Sequence, residues 1–371
     1  MKKVLVLFLI LSFLLISCSR NSTSGERWSV DRVNHWYAQQ KWLVGCNFIP
    51  STAINQLEMW QKDTFDKETI HRELGWASEL GFNTVRVYLH DLAYDQDPEG
   101  FLNRMDEYLK IADSYGIKTL FVIFDDCWLI NPKTGKQPEP WSGVHNSGWL
   151  ESPGLPQLKL YTKDPELRLR LERYVKAVLG RFQKDERILM WDLYNEPGGY
   201  WYKRGEEPGE FEEGQTDSLC IPLLGDVYDW ARHVNPSQPL TTCWYGGYEA
   251  DAALHRADII TFHHYNDVES VEKVIQKLRV EGAGRPIMCT EYLNRPGKSK
   301  FQTHLPLFKE YNVAAINWGL VYGKTNTIWS WSSWETPGTA EPDEWFHDIL
   351  RRDGTPFDKE EIELIKELTK E

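Results

Sequence analysis

The chain has 371 residues, a formal net charge of −13 and 17 tryptophans. A chain this acidic, with no basic run beyond its first residues, is a poor ligand for nucleic acid, so we expect no nucleic-acid partner. Its length exceeds that of the usual single globular unit but suits one eight-stranded barrel with enlarged loops.

The N-terminus has the features of a secretion signal. Two lysines precede an apolar stretch over residues 4–16, which is too short for a comfortable membrane span. Cys18 follows a small residue, the pattern at which bacterial lipoproteins are cut and lipidated, and the polar residues after it resemble a flexible tether. We expect residues 1–18 to be a lipoprotein signal and residues 19–40 a tether and lead-in. Cys18 would then anchor the protein to a membrane of the bacterial cell envelope, on the periplasmic or the cell-surface side of the outer membrane. A plain secretory signal with an incidental cysteine is the alternative.

Eight β-rich runs alternate with amphipathic helices along the rest of the chain. Near-continuous apolar runs such as residues 119–124 are typical of a parallel sheet that helices cover on the outside. The predicted strands are residues 42–48, 84–89, 118–124, 188–194, 240–244, 259–264, 286–290 and 314–318.

Helix signals lie in the gaps between these runs. Asp66 and Asp164 each stand before a helical pattern as N-caps, and Gly81, Gly116 and Asn312 are predicted to end helices in the left-handed conformation. Alternation favours an α/β barrel or a doubly wound sheet. The count of eight, with no glycine-rich phosphate loop after the first strand, favours a (β/α)8 TIM barrel over residues 41–371.

The cysteines do not suggest a disulfide framework or a zinc site. Beyond Cys18 they are odd in number, and they form no CxxC pair or Cys/His cluster with metal spacing. Cys46, Cys243 and Cys289 lie inside predicted strands, so we expect buried thiols there. We expect neither a metal nor a cofactor.

Two predicted strands end in a glutamate. Residues 188–194 lead into Asn195 and Glu196, and residues 286–290 lead into Glu291. All strand exits of a parallel barrel lie on one rim, so these carboxylates can face each other across a cleft. Paired carboxylates are what glycoside hydrolysis needs. The two longest interruptions of the pattern, residues 125–163 and 198–220, are rich in Trp and Tyr, which is typical of walls around a sugar-binding cleft.

These residues carry a family resemblance. Residues 191–197, Trp-Asp-Leu-Tyr-Asn-Glu-Pro, resemble the acid/base motif of the clan A glycoside hydrolases, and residues 289–291, Cys-Thr-Glu, resemble their nucleophile strand. Glycoside hydrolase family 5, with its cellulases and mannanases, is the most similar member. The resemblance implies a (β/α)8 barrel with the acid/base after strand four and the nucleophile after strand seven, and the strand count made above agrees.

The resemblance also implies roles for further residues. Arg86 matches the arginine that supports the nucleophile, and Asn195 matches the asparagine that holds the sugar 2-hydroxyl. His264 and Tyr265 match the pair beside the nucleophile, and Trp318 matches a sugar platform on strand eight.

The sequence departs from family 5 after strand three, where a histidine is common. Asp125, Asp126 and Trp128 stand there, so we expect them to form a substrate subsite of a different kind. Lys324 and Asn326, just past the last strand, are positioned to contact sugar hydroxyls; a solvated turn is the alternative.

The expected function is a retaining glycoside hydrolase that cleaves a β-linked oligo- or polysaccharide by double displacement, with Glu196 as acid/base and Glu291 as nucleophile. Two alternatives remain open. One is a non-catalytic, cell-surface glycan-binding barrel. The other is a barrel metallohydrolase whose ligands would be His263 and His264 together with Asp125, Asp126 or Asp91.

Overall fold

The computed structural model describes residues 25–198, 217–244 and 249–370. The proposed anchor Cys18 and the aromatic residues 200–202 lie outside these ranges. Within them, none of the helices combines the length and the apolar character that a membrane span requires.

Eight parallel strands form the centre of the fold, each within a few residues of its predicted position. The ladder of hydrogen bonds starts on the first segment of β5, runs through β4, β3, β2, β1, β8, β7 and β6, and ends on the second segment of β5. Because it starts and ends on one strand, the sheet closes into a barrel, and the predicted (β/α)8 fold is confirmed. The strands are β1 Val44–Asn47, β2 Thr84–Tyr88, β3 Lys118–Asp125, β4 Ile188–Asn195, β5 Leu240–Thr241 with Cys243–Trp244, β6 Ile260–His263, β7 Ile287–Glu291 and β8 Ala314–Trp318.

Helices surround the barrel, and the local signals that predicted their ends are present. The side chains of Asp66 and Asp164 cap α3 and α7 by accepting backbone N–H bonds, and Gly81, Gly116 and Asn312 have φ angles of 87°, 69° and 49°. The helices are α1 Val30–Ala38, α2 Gln56–Trp60, α3 Lys67–Glu79, α4 Asp91–Gln96, α5 Pro98–Ser114, α6 Leu155–Tyr161, α7 Pro165–Phe182, α8 Asp217–Val234, α9 Glu249–His255, α10 Val268–Glu281, α11 Phe301–Glu310 and α12 Lys359–Thr369, with a 3-10 turn at Trp331–Trp334.

The segment before β1 is part of the folded domain. Trp28, Val33 and Tyr37 are buried on and beside α1, in the same apolar cluster as Ile259 and Met288 of the barrel. The lead-in expected over residues 19–40 thus includes a packed helix from Val30 onward.

The core lies in two layers, one inside the barrel and one between the strands and the helices. Ile70, Leu74 and Ala77 of α3 are fully buried in the outer layer, on the single stripe that their spacing predicts. Burying a side chain of this kind contributes about 1.5–3 kcal/mol for the larger residues. The strand cysteines Cys46, Cys243 and Cys289 are free and buried, as predicted.

Three loops rise from the carboxyl ends of the strands on one side of the barrel. We call residues 48–55 the β1 loop, residues 126–154 the β3 loop and residues 319–358 the β8 loop. The sequence predicts a long segment without strand or helix over residues 125–163. Helix α6 occupies the end of this segment, so the β3 loop is shorter than predicted.

Candidate active site

Glu196 and Glu291 meet at the rim of the barrel. A side-chain oxygen of each glutamate and a ring nitrogen of His263 all lie within 4.8 Å of one another. The glutamates are 7% and 5% exposed, so both carboxyl groups are largely withdrawn from water. The closure of the barrel therefore brings together two carboxyl groups that lie far apart in the sequence.

Glu291 is surrounded by hydrogen-bond donors. Its Oε1 atom accepts from Arg86 Nη1 and from the Tyr88 hydroxyl, each at 2.8 Å, and its Oε2 atom accepts from the Tyr265 hydroxyl at 2.7 Å. Arg86 and Tyr88 are two residues apart on β2, so both point to the same face of the strand. A cation and two hydroxyl groups thus donate hydrogen bonds to this one carboxyl group.

Arg86 connects Glu291, at the end of β7, to β4. It is fully buried and donates to Asp192 Oδ2 from Nε at 3.1 Å and from Nη2 at 2.8 Å. Its Nη2 atom also donates to Asn195 Oδ1 at 2.6 Å. Burial raises the pKa of Asp192 to about 6, although the Arg86 guanidinium opposes the shift. The single guanidinium thus holds two buried carboxyl groups and orients Asn195.

Glu196 has different neighbours. The Cys127 thiol donates to its Oε2 atom at 3.0 Å, and His263 Nδ1 lies 2.6 Å from its Oε1 atom. Its backbone N–H donates to Cys243 Sγ at 3.1 Å. The residue has a φ of 40°, an unusual value for a residue with a side chain. Strain of this kind persists where the surrounding structure fixes a functional group in place.

His263 lies between the two glutamates. In addition to its contact with Glu196, its Nε2 atom lies 3.5 Å from Glu291 Oε1. Burial lowers the pKa of His263 to about 3, against the charge of Glu291 and with a smaller contribution from Arg86, so the ring is neutral near pH 7. It can therefore exchange a hydrogen bond with either carboxyl group without adding a charge.

The family resemblance places His264 beside Glu291, and in the structure its backbone N–H donates to the Glu291 carbonyl at 2.9 Å, but the side chain beside the Glu291 carboxyl group is that of its neighbour His263. The Nε2 atom of His264 is 2.9 Å from Ser270 Oγ, on the other side of the strand. Side chains alternate along a strand, so His263 and Tyr265 share the inward face while His264 does not. The period-two pattern of β6 was the signal that identifies the correct histidine.

Asn195, Asp125 and Asp126 are held by protein groups. Asn195 Nδ2 donates to Asp125 Oδ1 at 2.9 Å, and the Trp149 indole donates to Asp125 Oδ2 at 2.7 Å. Burial raises the pKa of Asp125 to about 8, against these two hydrogen bonds. Asp126 accepts from the Tyr194 hydroxyl and from the backbone of residue 198, each at 2.8 Å, which fixes the turn after Glu196. Direct contact of the two aspartates with a sugar stays a prediction.

The aromatic residues predicted for the site lie above it. Trp318 is 9% exposed and packs edge-on against Tyr88 and Trp149, with ring centroids 5.8 and 5.4 Å away. Trp128 stacks on Trp334 at 5.6 Å, which covers one of its faces. Their role as sugar platforms stays a prediction.

Lys324 and Asn326 hold the loops together. Lys324 Nζ forms an ion pair with Glu58 at 2.7 Å, and Asn326 Nδ2 donates to the Trp141 carbonyl at 3.0 Å. Neither residue lies among the hydrogen-bond partners described above for the two glutamates, so their contact with sugar hydroxyls also stays a prediction.

The side chains grouped closely enough to hold a metal, within the described ranges, are Glu196, His263 and Glu291. This set differs from the one that the sequence suggested, because His264 points elsewhere and Asp91 pairs with Arg170 at 2.9 Å. Arg86 already supplies a positive charge 2.8 Å from Glu291.

Comparisons with known proteins agree with this geometry. No protein-family model matches the chain. The chain is 22% identical over 347 residues to a probable mannan endo-1,4-β-mannosidase A of Aspergillus clavatus, covering 91% of this chain and 84% of that protein. It is 23% identical over 229 residues to mannan endo-1,4-β-mannosidase A of Emericella nidulans, covering 58% and 53%.

Two solved structures share the fold. One is an exo-β-1,4-mannosidase from an Opitutaceae bacterium, with a TM-score of 0.56 and 16% identity over 88% of this chain and 59% of that one. The other is an endo-β-1,4-mannanase from Thermotoga petrophila, with a TM-score of 0.54 and 14% identity over 88% and 76%.

The closed barrel, the two glutamates at its rim and these relatives define what the chain is similar to: it is a (β/α)8 barrel that resembles the clan A glycoside hydrolases. Within that clan it is similar to family 5.

Proposed function

We propose that this protein hydrolyses β-1,4-linked mannosides with retention of configuration, with Glu291 as the nucleophile and Glu196 as the acid/base. The mannosidase relatives support the choice of sugar and linkage. The environments of the two glutamates support the assignment of roles.

The contrast between these environments is the observation that carries the proposal. Glu291 accepts hydrogen bonds from a guanidinium and two phenols, which favour the anion that a nucleophile needs. The described contacts of the Glu196 carboxyl group are a thiol and a neutral imidazole, which permit it to hold a proton. Two carboxyl groups in unlike surroundings can serve as acid and as anion at the same pH.

The reaction follows from these roles. Glu196 donates its proton to the glycosidic oxygen while a Glu291 oxygen attacks the anomeric carbon, so the C–O bond to the leaving sugar breaks as a glycosyl ester forms. Glu196, now ionised, takes a proton from water, and the resulting hydroxide oxygen attacks the same carbon and releases Glu291. Two inversions at one carbon give net retention.

The separation of the carboxyl groups supports retention. Retaining glycosidases place their carboxyl groups roughly 5–5.5 Å apart, whereas inverting enzymes leave about 6.5–9.5 Å for a water molecule. Oxygens of Glu196 and Glu291 that approach within 4.8 Å are in keeping with the shorter spacing.

The test uses aryl β-mannosides and chemical rescue. NMR of the first product should show the β-anomer, and Glu291→Gln should abolish turnover while the exposed surface variant Glu310→Gln retains it. Azide added to Glu196→Ala should give β-mannosyl azide, and azide added to Glu291→Ala should give the α-product, because azide takes the place of the missing group.

Two outcomes would refute the proposal. The α-anomer as the first product would indicate inversion. Binding of manno-oligosaccharides by titration calorimetry with no sugar released would instead favour the non-catalytic glycan-binding barrel.

We also propose that the protein is anchored to a membrane of the bacterial cell envelope by a lipid on Cys18, which precedes the described residues. The signal-like N-terminus supports this. Labelled palmitate should enter the intact protein and not Cys18→Ala; equal labelling of both would contradict the anchor.

A further inference from the structure

The β3 and β8 loops are joined to each other above the barrel. They come from strands that are separated by β1 and β2 in the sheet, so they must meet across the exits of those two strands. Hydrogen bonds between them include those from Asn146 N to the Thr325 carbonyl (2.8 Å), from Gly338 N to the Gly143 carbonyl (2.9 Å) and from His145 N to Ser333 Oγ (2.9 Å). The ring of Trp334 adds a stacked contact with Trp128 and an edge contact with Trp141, at 5.6 and 5.5 Å.

The β1 loop is fastened to both of the others. Asn55 Nδ2 donates to the Gly148 carbonyl at 2.9 Å, and Lys324 N donates to the Ser51 carbonyl at 3.0 Å. The three loops therefore form one continuous structure, which we call the wall.

The wall covers one of the two sectors of the rim. A line from β4 to β7, the strands that carry the glutamates, leaves β8, β1, β2 and β3 on one side and β5 and β6 on the other. Strand-exit residues on the first side are buried under the wall: Asn47 is 5%, Tyr88 2% and Trp318 9% exposed. They line a small cavity together with Trp149 and Asp348. A groove that carried a polysaccharide through this sector would leave such aromatic faces open to solvent.

The direction of the substrate relative to the wall follows from the proposed function, on which this inference rests. Glu196 protonates the leaving oxygen, so the leaving part of the substrate extends past Glu196 toward the β5 and β6 sector. The sugar under attack lies on the other side, with Asn195 and Trp318, and its 4-hydroxyl points toward the wall. In a β-1,4-linked chain this is the direction of the non-reducing end.

We infer that the wall closes the glycone end of the cleft and that the enzyme is exo-acting, removing terminal mannose from the non-reducing ends of β-1,4-linked mannosides. The wall takes the place that the next sugar would occupy in an endo-acting enzyme. Binding then selects chain ends, because an internal unit cannot reach the glutamates without its neighbour meeting the wall.

The test compares two forms of one aryl manno-oligosaccharide, free and blocked by a 4,6-benzylidene group on its terminal sugar. We expect the intact protein to release single mannose units from the free form. The blocked form should lose at least about a hundredfold in kcat/KM, the scale at which a closed pocket rejects a slightly oversized group. Mannan viscosity should fall slowly relative to the reducing sugar released.

Two failures are distinguishable. Hydrolysis of the blocked substrate at a comparable rate, with a ladder of internal products, would overturn the exo-acting inference and leave the proposed activity in place. No hydrolysis of either form, or of a simple aryl β-mannoside, would overturn the proposed function and this inference with it.

Discussion

Replacement of Arg86 by methionine tests how the barrel keeps its carboxyl groups in place. Arg86→Met has a similar length and no charge, so it leaves Asp192 and Glu291 without their cation. Both carboxyl groups are buried and within 2.8 Å of the guanidinium. Removing one partner of a buried ion pair costs about 3–5 kcal/mol, mostly through the charge left behind. This is a large part of a typical unfolding free energy of about 5–15 kcal/mol.

A second substitution separates stability from catalysis. Asp192→Asn removes one of the stranded charges, so the double variant should regain a few kcal/mol of the lost unfolding free energy, on the order of the pair itself. It should not regain activity, because Glu291 still lacks the guanidinium, one of the two donors to its Oε1 atom. The loss of one such donor to a reacting carboxylate is expected to lower kcat by about 10²–10³-fold.

The assay is urea unfolding followed by fluorescence, together with kcat on an aryl β-mannoside. Arg351→Met is the matched control, since Arg351 pairs with Glu341 at 2.7 Å through side chains that are 41% and 48% exposed. An exposed pair contributes about 0–1 kcal/mol. If Arg86→Met were no less stable than this control, or if the double variant regained full activity, the assigned role of Arg86 would be wrong.

Three further predictions concern the neighbours of the glutamates. Cys127→Ala should move the alkaline limb of the pH profile of kcat/KM to higher pH, because the ionised Glu196 carboxylate loses a hydrogen bond from the thiol. Cys127→Ser and the buried control Cys46→Ala should leave this limb where it is in the wild type. An unmoved limb in Cys127→Ala would contradict the role of the thiol. The pKa of His263 is about 3 in the fold and about 6.5 unfolded, so its contribution to stability is complete above about pH 6.5 and is lost as the pH falls toward 3. In His263→Gln, the free energy of unfolding measured in urea should therefore fall less steeply than in the wild type as the pH is lowered. If the two proteins gave parallel curves of this free energy against pH, the prediction would be wrong. Tyr265→Phe should lower kcat by about 10²-fold while the free energy of unfolding changes by only about 1 kcal/mol. A kcat equal to that of the wild type would show that Glu291 does not depend on the Tyr265 hydroxyl.

The parts of the site that the sequence predicts are those determined by local patterns. Glu196 and Glu291 each follow an apolar strand, and the position after a strand is readable from the alternation of strands and helices. The closure of eight strands then brings both to one rim by a general rule of the fold. Arg86 is found in the same way, on the inward face of β2.

Some residues contact the glutamates only because their side chains lie on the inward face of a strand. These are harder to assign from the sequence, which does not show which face points inward. His263 and His264 are adjacent and chemically identical in the sequence, and only the inward side of β6 distinguishes them. Tyr88 and Cys127 carry no motif of their own; Tyr88 reaches Glu291 because it shares a face with Arg86, and Cys127 reaches Glu196 because β3 and β4 are paired.

The wall is not readable from the sequence for a further physical reason. Most of the hydrogen bonds that join its loops include a main-chain carbonyl or N–H group, such as Asn146 N to the Thr325 carbonyl, and nearly any residue can supply those atoms. The loops also differ from strands in having no period that reveals a buried face. The chemistry of this enzyme is therefore encoded in side chains at strand ends. The inference that the cleft accepts the end of a polysaccharide rests on how three loops meet, and their contacts are visible only in the three-dimensional structure.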